Sequence, residues 1–479
     1  MLVGHQRRLG LVATLIIAGA LGAGAEPAAG GVSVSSAPSL FPSFRLHIHD
    51  YVVRCRDGPV TVEVHAHGGW RVAVGDHPLR RGNFRTVVPL SAGRAFNVTT
   101  RYGARRHRYH VRCLPGDFPT YTFTRHGPVS PRFFSVDQGL NLPRYKRYTI
   151  IFDNHGVPVW WYHAPTLGPR VLPNGTLSQF DFRVLKFQIR RFDGSLVRSL
   201  SNIGEGIINL HDLQPVGDGG YLVGSSVPQD HIDTSAYGGS SDATVRNVEL
   251  QQVGPGGEVL WDWRSQDHIS LAETGRWWPF VTTFYTRGGY DMLHWNSIDP
   301  DGGSVIASFR QLDAVYKIRK STGDIVWKLG GTTTPESLEA KDDPRSYPLG
   351  GQHDARLLPD GTLTLFNNRT FLANHRPRVE RFRINREKGT ATLLQSITDP
   401  DVHSSDCCGS ARRLPNRDWL IDWGGYRNNP IGAYKPDGER IFVLRFKARS
   451  GYSYRAEPVP ATISARDLRE GMNAMYSAP

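Results

Sequence analysis

From about Pro128 onward, short apolar runs alternate with polar, glycine-bearing turns at a long and regular period. One phrase sets the pattern. His294 stands just before an apolar run, Pro300-Asp301-Gly302 makes a turn, and a second apolar run from Ser304 ends at Arg310. The phrase returns at His353 with Asp360-Gly361 and at His211 with Asp218-Gly219. In all three the Asp-Gly falls seven and eight residues after the histidine. Two apolar runs around an Asp-Gly turn predict a β-hairpin, so the histidine marks the entrance of its first strand.

A second series of glycine turns lies between these hairpins: His155-Gly156, Asp193-Gly194, Pro255-Gly256-Gly257, Thr322-Gly323, Lys388-Gly389 and Asp437-Gly438. Three of them lead into tryptophan-bearing strands, Val159-Trp160-Trp161, Val259-Leu260-Trp261 and Ile325-Val326-Trp327. Leu172-Pro173-Asn174-Gly175 and Leu414-Pro415-Asn416 extend the first series beyond the histidine copies. Six units of four antiparallel strands predict an all-β fold, a six-bladed β-propeller over 127–460. The first unit supplies three strands, Arg132–Asp137, Tyr148–Phe152 and Val157–Tyr162, and lacks an innermost one. The stretch Tyr452–Val459 is expected to fill that place and close the ring, which removes two exposed sheet edges. In the tail, 461–479, Ile463–Ser477 is expected to form a short helix on the outside.

Between Phe41 and His126 the runs are short and β-prone, from Phe44–Val53 to His107–Val111. They predict a small antiparallel β-sandwich over 41–126. Cys55 and Cys113 lie near its two ends and are expected to be bonded. Residues 26–40, rich in Ala, Gly, Ser and Pro, read as a flexible linker. Residues 1–25 read as a secretory signal: Arg7-Arg8, an apolar Leu9–Leu21, then Ala23-Gly24-Ala25. The apolar run is short for a membrane span, so a secreted or cell-envelope protein is expected, with no stable membrane insertion once the signal is cleaved. An uncleaved anchor and a weak twin-arginine signal are the competing readings of the same stretch.

Composition agrees with this picture. The 51 Gly and 32 Pro suit a turn-rich β fold, and 39% hydrophobic residues allow a real core. The net charge of +13 favours anionic ligands. Nucleic acid is not expected, because no recognised motif or dense basic block accompanies the charge. Four cysteines fit an oxidising compartment. Cys407 and Cys408 are adjacent, and the sequence leaves open whether they bond to each other or stay reduced. Metal binding by this pair with His403 and Asp406 is set aside, since the spacing matches no zinc pattern.

In a propeller the first strand of each blade lines the central channel, so His211, His294 and His353 are expected to converge on one cavity. Arg310, at the end of the second strand after His294, is expected to reach it. Asn296, two residues after His294, shares its strand face. In the sixth unit the aligned position is Gly409, which puts Cys407, Cys408 and Ser410 at the channel mouth. A neutral imidazole is a competent nucleophile. A permanently charged arginine suits an anionic transferred group. A second histidine can carry a proton to and from a leaving group.

The phrases Asn209-Leu210-His211-Asp212, His294-Trp295-Asn296 with Arg310, and Gln352-His353-Asp354-Ala355-Arg356-Leu357-Leu358-Pro359-Asp360-Gly361 resemble bacterial arylsulfate sulfotransferases. The resemblance implies an exported six-bladed propeller behind an N-terminal β-sandwich. It implies transfer of a sulfuryl group from a phenolic sulfate ester to a phenol, with no nucleotide donor and no cofactor. By order in the chain, His353 would be the histidine that is transiently sulfated, with His211, His294 and Arg310 around the sulfuryl group. Asn296 and Ser410 are expected at the substrate. The chain carries no P-loop-like phosphosulfate motif, in keeping with this. A homodimer remains an option. Two other classes compete: a quinoprotein dehydrogenase, suggested by Thr322-Gly323-Asp324-Ile325-Val326-Trp327 and the adjacent cysteines, and a non-catalytic ligand-binding propeller. The first lacks the calcium–carboxylate site and the eight blades usual for that fold. The second predicts that His353 is dispensable.

Overall fold

A computed structural model describes residues 31–477 except 129, 140–142, 144, 145, 218, 285–287, 344–348, 426–428 and 448–450. The leader 1–25, the linker as far as Gly30, and Asp218 of the His211 turn lie outside the described residues.

The described chain is mostly strand. Near the N-terminus two sheets face each other over one core. One is Val32–Ala37, Val60–Ala66 and Gly82–Val88; the other is Asp50–Val53, Arg105–Cys113, Ala95–Tyr102 and Trp70–Val74, in that order. Val60, Val62 and Val64 are buried while Glu63 and His65 point out, the period-2 pattern of a half-buried strand. Cys55 and Cys113 are bonded, as expected. Two boundaries need correction. Val32–Ala37, expected inside a flexible linker, is a strand paired antiparallel with Val60–Ala66, because Val32 and Val34 alternate into the core. Tyr121–Arg125, counted with the sandwich, pairs instead with Arg440–Phe446 far along the chain.

Among the described residues the remaining strands form six antiparallel groups, each of four strands, the sixth extended to five by Tyr121–Arg125. The first is Pro158–His163, Tyr148–Asp153, Phe133–Gln138 and Ala456–Pro458. The others start at Thr166–Val171, Ile207–Val216, Trp295–Asp301, His353–Leu357 and Ser410–Arg413. The fourth and fifth groups are joined at their outer edges by Ser337–Lys341, which runs parallel to both. The C-terminal closure appears where it was expected: Ala456–Pro458 pairs antiparallel with Phe133–Gln138.

The innermost strands touch one another in a closed cycle, from Thr166–Val171 through those starting at Ile207, Trp295, His353, Ser410 and Ala456, and back. Hydrogen bonds link successive members. Ile298 N donates to Asp212 Oδ2 at 3.1 Å, and Ala355 N to Ser297 Oγ at 3.0 Å. Trp160, Trp161, Trp295, Trp419 and Trp423 are fully buried; truncating any of them to Ala would cost about 3–5 kcal/mol. The helix Ala465–Met475 opens with a Ser464/Asp467 capping box. It packs on Pro158–His163 through Leu468 and Met472 and ties the N-terminal unit by Arg469–Asp50 at 2.6 Å. A helical insert, Leu271–Thr283, precedes the His294 strand; no sequence pattern announced it.

Candidate functional site

His353 opens its strand and His294 directly precedes its own, while His211 lies inside Ile207–Val216, where the pairing is interrupted between Ile208 and Leu213. His211 and His294 meet edge to face with ring centres 4.9 Å apart. His353 lies edge to face with Tyr454 at 5.1 Å, and Tyr454 also flanks His211 at 6.0 Å. The Tyr454 hydroxyl donates to the His211 carbonyl at 3.2 Å. Tyr454 is therefore the post between the histidines. It comes from the C-terminal closing segment, far from them in sequence.

Each ring is fixed through Nδ1. His294 Nδ1 donates to Asp291 Oδ2 at 2.7 Å, and the His294 main-chain N–H donates to the other carboxylate oxygen at 3.2 Å. His353 Nδ1 donates to the Gly409 carbonyl at 2.7 Å. His211 Nδ1 donates to Asn209 Oδ1. That atom is the amide oxygen, because it also accepts the His211 main-chain N–H at 3.0 Å. A carboxylate, a carbonyl and an amide oxygen only accept, so every Nδ1 carries the proton and Nε2 of a neutral ring carries the lone pair.

Burial sets the charge state. His353 is 2% exposed. Burial first, then the nearby Arg455 guanidinium and the other two imidazoles, hold its pKa well below the ordinary range, against the Gly409 hydrogen bond. His211 is lowered by burial, His294 and Arg455. Both are neutral at neutral pH. His294 is more open than His353, with 30% of its side chain exposed. Burial would raise its partner Asp291, but His294 and Arg246 outweigh that and keep the carboxylate ionised. His294 itself sits in the left-handed region at φ +48°, a conformation that costs a non-glycine residue and recurs at functional sites.

Arg310 begins the turn Arg310–Leu312, directly after the second strand of its group, which ends at Phe309. Its main-chain N–H donates to the His294 carbonyl at 3.0 Å. Its guanidinium lies 4.5 Å over the Trp277 ring of the helical insert and donates from Nη2 to the Asp406 carbonyl at 2.8 Å. Asn296 and Ser410 are fully buried. Asn296 donates to the Gln352 carbonyl at 2.8 Å and accepts from Asp354 N. Ser410 Oγ donates to the Ala456 carbonyl and accepts from Ala456 N. Both side chains thus bind strand to strand. Cys407 and Cys408 are bonded to each other.

Next to the histidines in sequence lies a buried ionic layer. Arg356 reaches Asp212 at 2.7 Å and Asp354 at 3.0 Å; Arg412 reaches Asp354 at 2.8 Å; Arg455 reaches Asp212 at 3.3 Å; Arg170 reaches Glu457 at 3.1 Å. Asp212 stays ionised because Arg356, Arg455 and Arg170 overcome the burial that would raise it. The layer fastens five of the six inner strands. The doublets His211-Asp212 and His353-Asp354 were its signal in the sequence; Arg170 and Arg455 gave none. Among the described residues no group of three His, Cys, Asp or Glu side chains is arranged to hold a metal ion. Nor is any helix there long and apolar enough to cross a membrane.

The profile of the arylsulfotransferase (ASST) family matches residues 188–447, more than half of the chain and all of the histidine-bearing groups. No curated protein matches. Among solved structures, a protein of unknown function from Bacteroides caccae is similar at 13% identity over 69% of this chain and 99% of its own, with a TM-score of 0.42. Virginiamycin B lyase from Staphylococcus aureus is similar at 10% identity over 68% of this chain and 99% of its own, with a TM-score of 0.34.

Proposed function

The chain belongs to the arylsulfotransferase family, and on that premise we propose that it moves a sulfuryl group from a phenolic sulfate ester to a phenol through a sulfated His353. The observation that carries the reading is the Gly409 carbonyl on His353 Nδ1, which leaves the Nε2 lone pair on a ring that burial keeps neutral. In the first half-reaction Nε2 attacks sulfur and the S–O bond to the donor phenol breaks. The phenolate leaves with the Nε2 proton of His294, which enters this step as an imidazolium with its Nδ1–H on the Asp291 carboxylate and leaves it neutral. The imidazole becomes cationic as N–S forms, and the Gly409 carbonyl stabilises that charge. In the second half, the acceptor phenol gives its proton back to His294 and attacks sulfur, and the N–S bond breaks. Arg310 balances charge on the sulfuryl oxygens, where transfer of this kind asks for placement more than covalent work.

In this reading the six strand groups, with inner strands in a closed cycle, are the blades of a six-bladed propeller over 127–460, and the sandwich and the helix Ala465–Met475 brace it from outside. The N-terminal leader and the buried Cys55–Cys113 bond fit export to an oxidising compartment. The phenolic donor and acceptor need no nucleotide and no further cofactor. The test is incubation with 4-nitrophenyl sulfate alone, followed by peptide mass analysis. One added sulfuryl mass on the peptide containing His353, discharged by phenol, is expected. Label on another residue removes His353 as nucleophile, and absence of any transfer to phenol removes the activity.

A further inference from the structure

The loop Asp406–Gly409 presents four consecutive carbonyls, each to its own donors. Asp406 O accepts from Arg310 Nη2 at 2.8 Å. Cys407 O accepts from Gly425 N at 2.8 Å and Ser405 Oγ at 3.2 Å. Cys408 O accepts from Asn368 Nδ2 at 3.1 Å. Gly409 O accepts from His353 Nδ1 at 2.7 Å. The first and last of these hold Arg310 and His353. Between them stands the bond from Cys407 to Cys408.

A cross-link between adjacent residues removes almost no freedom from the unfolded chain, since the loop it closes has no length. Its effect is local. The small covalent ring restricts the backbone of both cysteines, and Cys408 is held in the left-handed region at φ +66°, which a free cysteine avoids. The surroundings fit this one shape. A Cβ on Gly424 would lie 2.5 Å from the Cys407 carbonyl oxygen, and one on Gly409 would lie 2.5 Å from the Phe366 ring. Cys408 is buried against Tyr454, the post between the histidines, and Gly409 N donates to the Tyr454 carbonyl at 2.9 Å. Cys407 is only partly buried, so a thiolate can reach its sulfur.

We propose that the Cys407–Cys408 disulfide is a positioning pair that keeps the Asp406 and Gly409 carbonyls on Arg310 and His353, and that its reduction switches the centre off. The inference rests on the roles given above to His353 and Arg310. A dithiol attacks Cys407 sulfur, the S–S bond breaks, and two thiols remain while the dithiol closes to its own disulfide. Cys408 then relaxes out of the left-handed region and the Gly409 carbonyl turns away. His353 loses the acceptor that fixed its tautomer, and the proton is free to sit on Nε2, where it masks the nucleophile.

The test uses the full chain, oxidised, treated with dithiothreitol while folded so that the partly exposed Cys407 is reduced and the buried Cys55–Cys113 bond is kept, and as the variant Cys407→Ser/Cys408→Ser. The expected result is a fall in kcat of about tenfold or more, the scale of losing a hydrogen bond to a group that becomes charged. KM for 4-nitrophenyl sulfate should change less, and Tm should stay near that of the oxidised protein. In protein labelled with 15N-histidine, the Nδ1–H resonance of His353 should be lost on reduction and return on reoxidation. Retention of both kcat and that resonance overturns the proposal. So does a loss of kcat that only follows a loss of Tm. If the serine variant does not fold, the reversible reduction of wild type decides alone. If wild type transfers no sulfuryl group, the activity reading falls, and the resonance still decides whether the disulfide sets the histidine.

Discussion

The two disulfides mark two regions built on opposite plans. Cys55–Cys113 spans a sequence separation of 58 and fastens a sandwich whose core is mainly valine and aromatic. Cys407–Cys408 spans a separation of 1 and lies in the part of the chain that buries Arg356, Arg455, Asp212 and Asp354. In the first region side chains act by volume, and direction matters little. In the second they act by direction and charge, and volume matters little. Burying ions is expensive and returns little stability compared with a well-packed apolar core. Around the three histidines such groups tie one inner strand to the next, Asp212 to Arg356 and Arg455, and Asp354 to Arg412. The sandwich shows that the same sequence can make a stable core without such groups.

The sharpest way to break this contrast is to change direction-bearing groups while keeping volume. His353→Asn keeps polar bulk and removes Nε2 as a nucleophile; turnover of 4-nitrophenyl sulfate should vanish while the far-ultraviolet spectrum is kept. Near-normal transfer by this variant would end the nucleophile assignment. Arg310→Ala should lower kcat by about 10²–10³, as when one oxyanion donor is lost. Asp212→Asn is nearly isosteric, yet it strips the charge that faces Arg356 and Arg455. Leaving a buried cation unpaired should cost about 3–5 kcal/mol in urea unfolding. A change below about 1 kcal/mol would show that the ionic layer is not structural.

The sandwich should respond in the reverse sense. Cys55→Ala/Cys113→Ala removes a long-loop cross-link and should lower stability by about 2–5 kcal/mol, with kcat preserved at a temperature where the variant is folded. A variant that keeps its Tm but loses kcat would erase the distinction between the two disulfides.

What was legible in the sequence follows the same division. Turn spacing and alternating runs act locally, so the strand groups, His294 and His353 at strand entrances and a closing strand within Tyr452–Val459 could be read, whereas His211 lies inside Ile207–Val216. Val32–Ala37 was missed because only Val32 and Val34 interrupt a small-residue composition, and two side chains make a weak period. Tyr121–Arg125 was misassigned because its partner, Arg440–Phe446, is hundreds of residues away. The site shows the same limit. Asp291, three residues before His294, was within reach of a local reading. Tyr454, Arg455 and the Gly409 carbonyl were not, since a C-terminal strand and a main-chain oxygen leave no mark near the histidines they serve. Asn296 and Ser410 occupy the expected strands, but their side chains are spent on neighbouring backbone.

The smallest effect tests the charge state of the centre directly. His353 has a folded pKa well below its ordinary value of 6.5, so between those two values the unfolded chain binds a proton that the folded chain refuses. Stability linked to this group is therefore complete above about 6.5 and is lost as pH falls through that window. In His353→Asn the linkage is absent. Other shifted groups cancel in the comparison, including Asp422, which burial pushes up to about 7 and whose contribution has the opposite sign. Wild type should thus lose about 1.4 kcal/mol relative to His353→Asn at one pH unit below 6.5, measured by urea unfolding at each pH. Formation of sulfated His353 should meanwhile persist into that acid range, because the folded imidazole is still neutral there. Equal slopes for the two proteins, together with loss of sulfation near pH 6.5, would mean that the ring titrates normally. The layer of buried charges around it would then have no part in keeping the nucleophile ready.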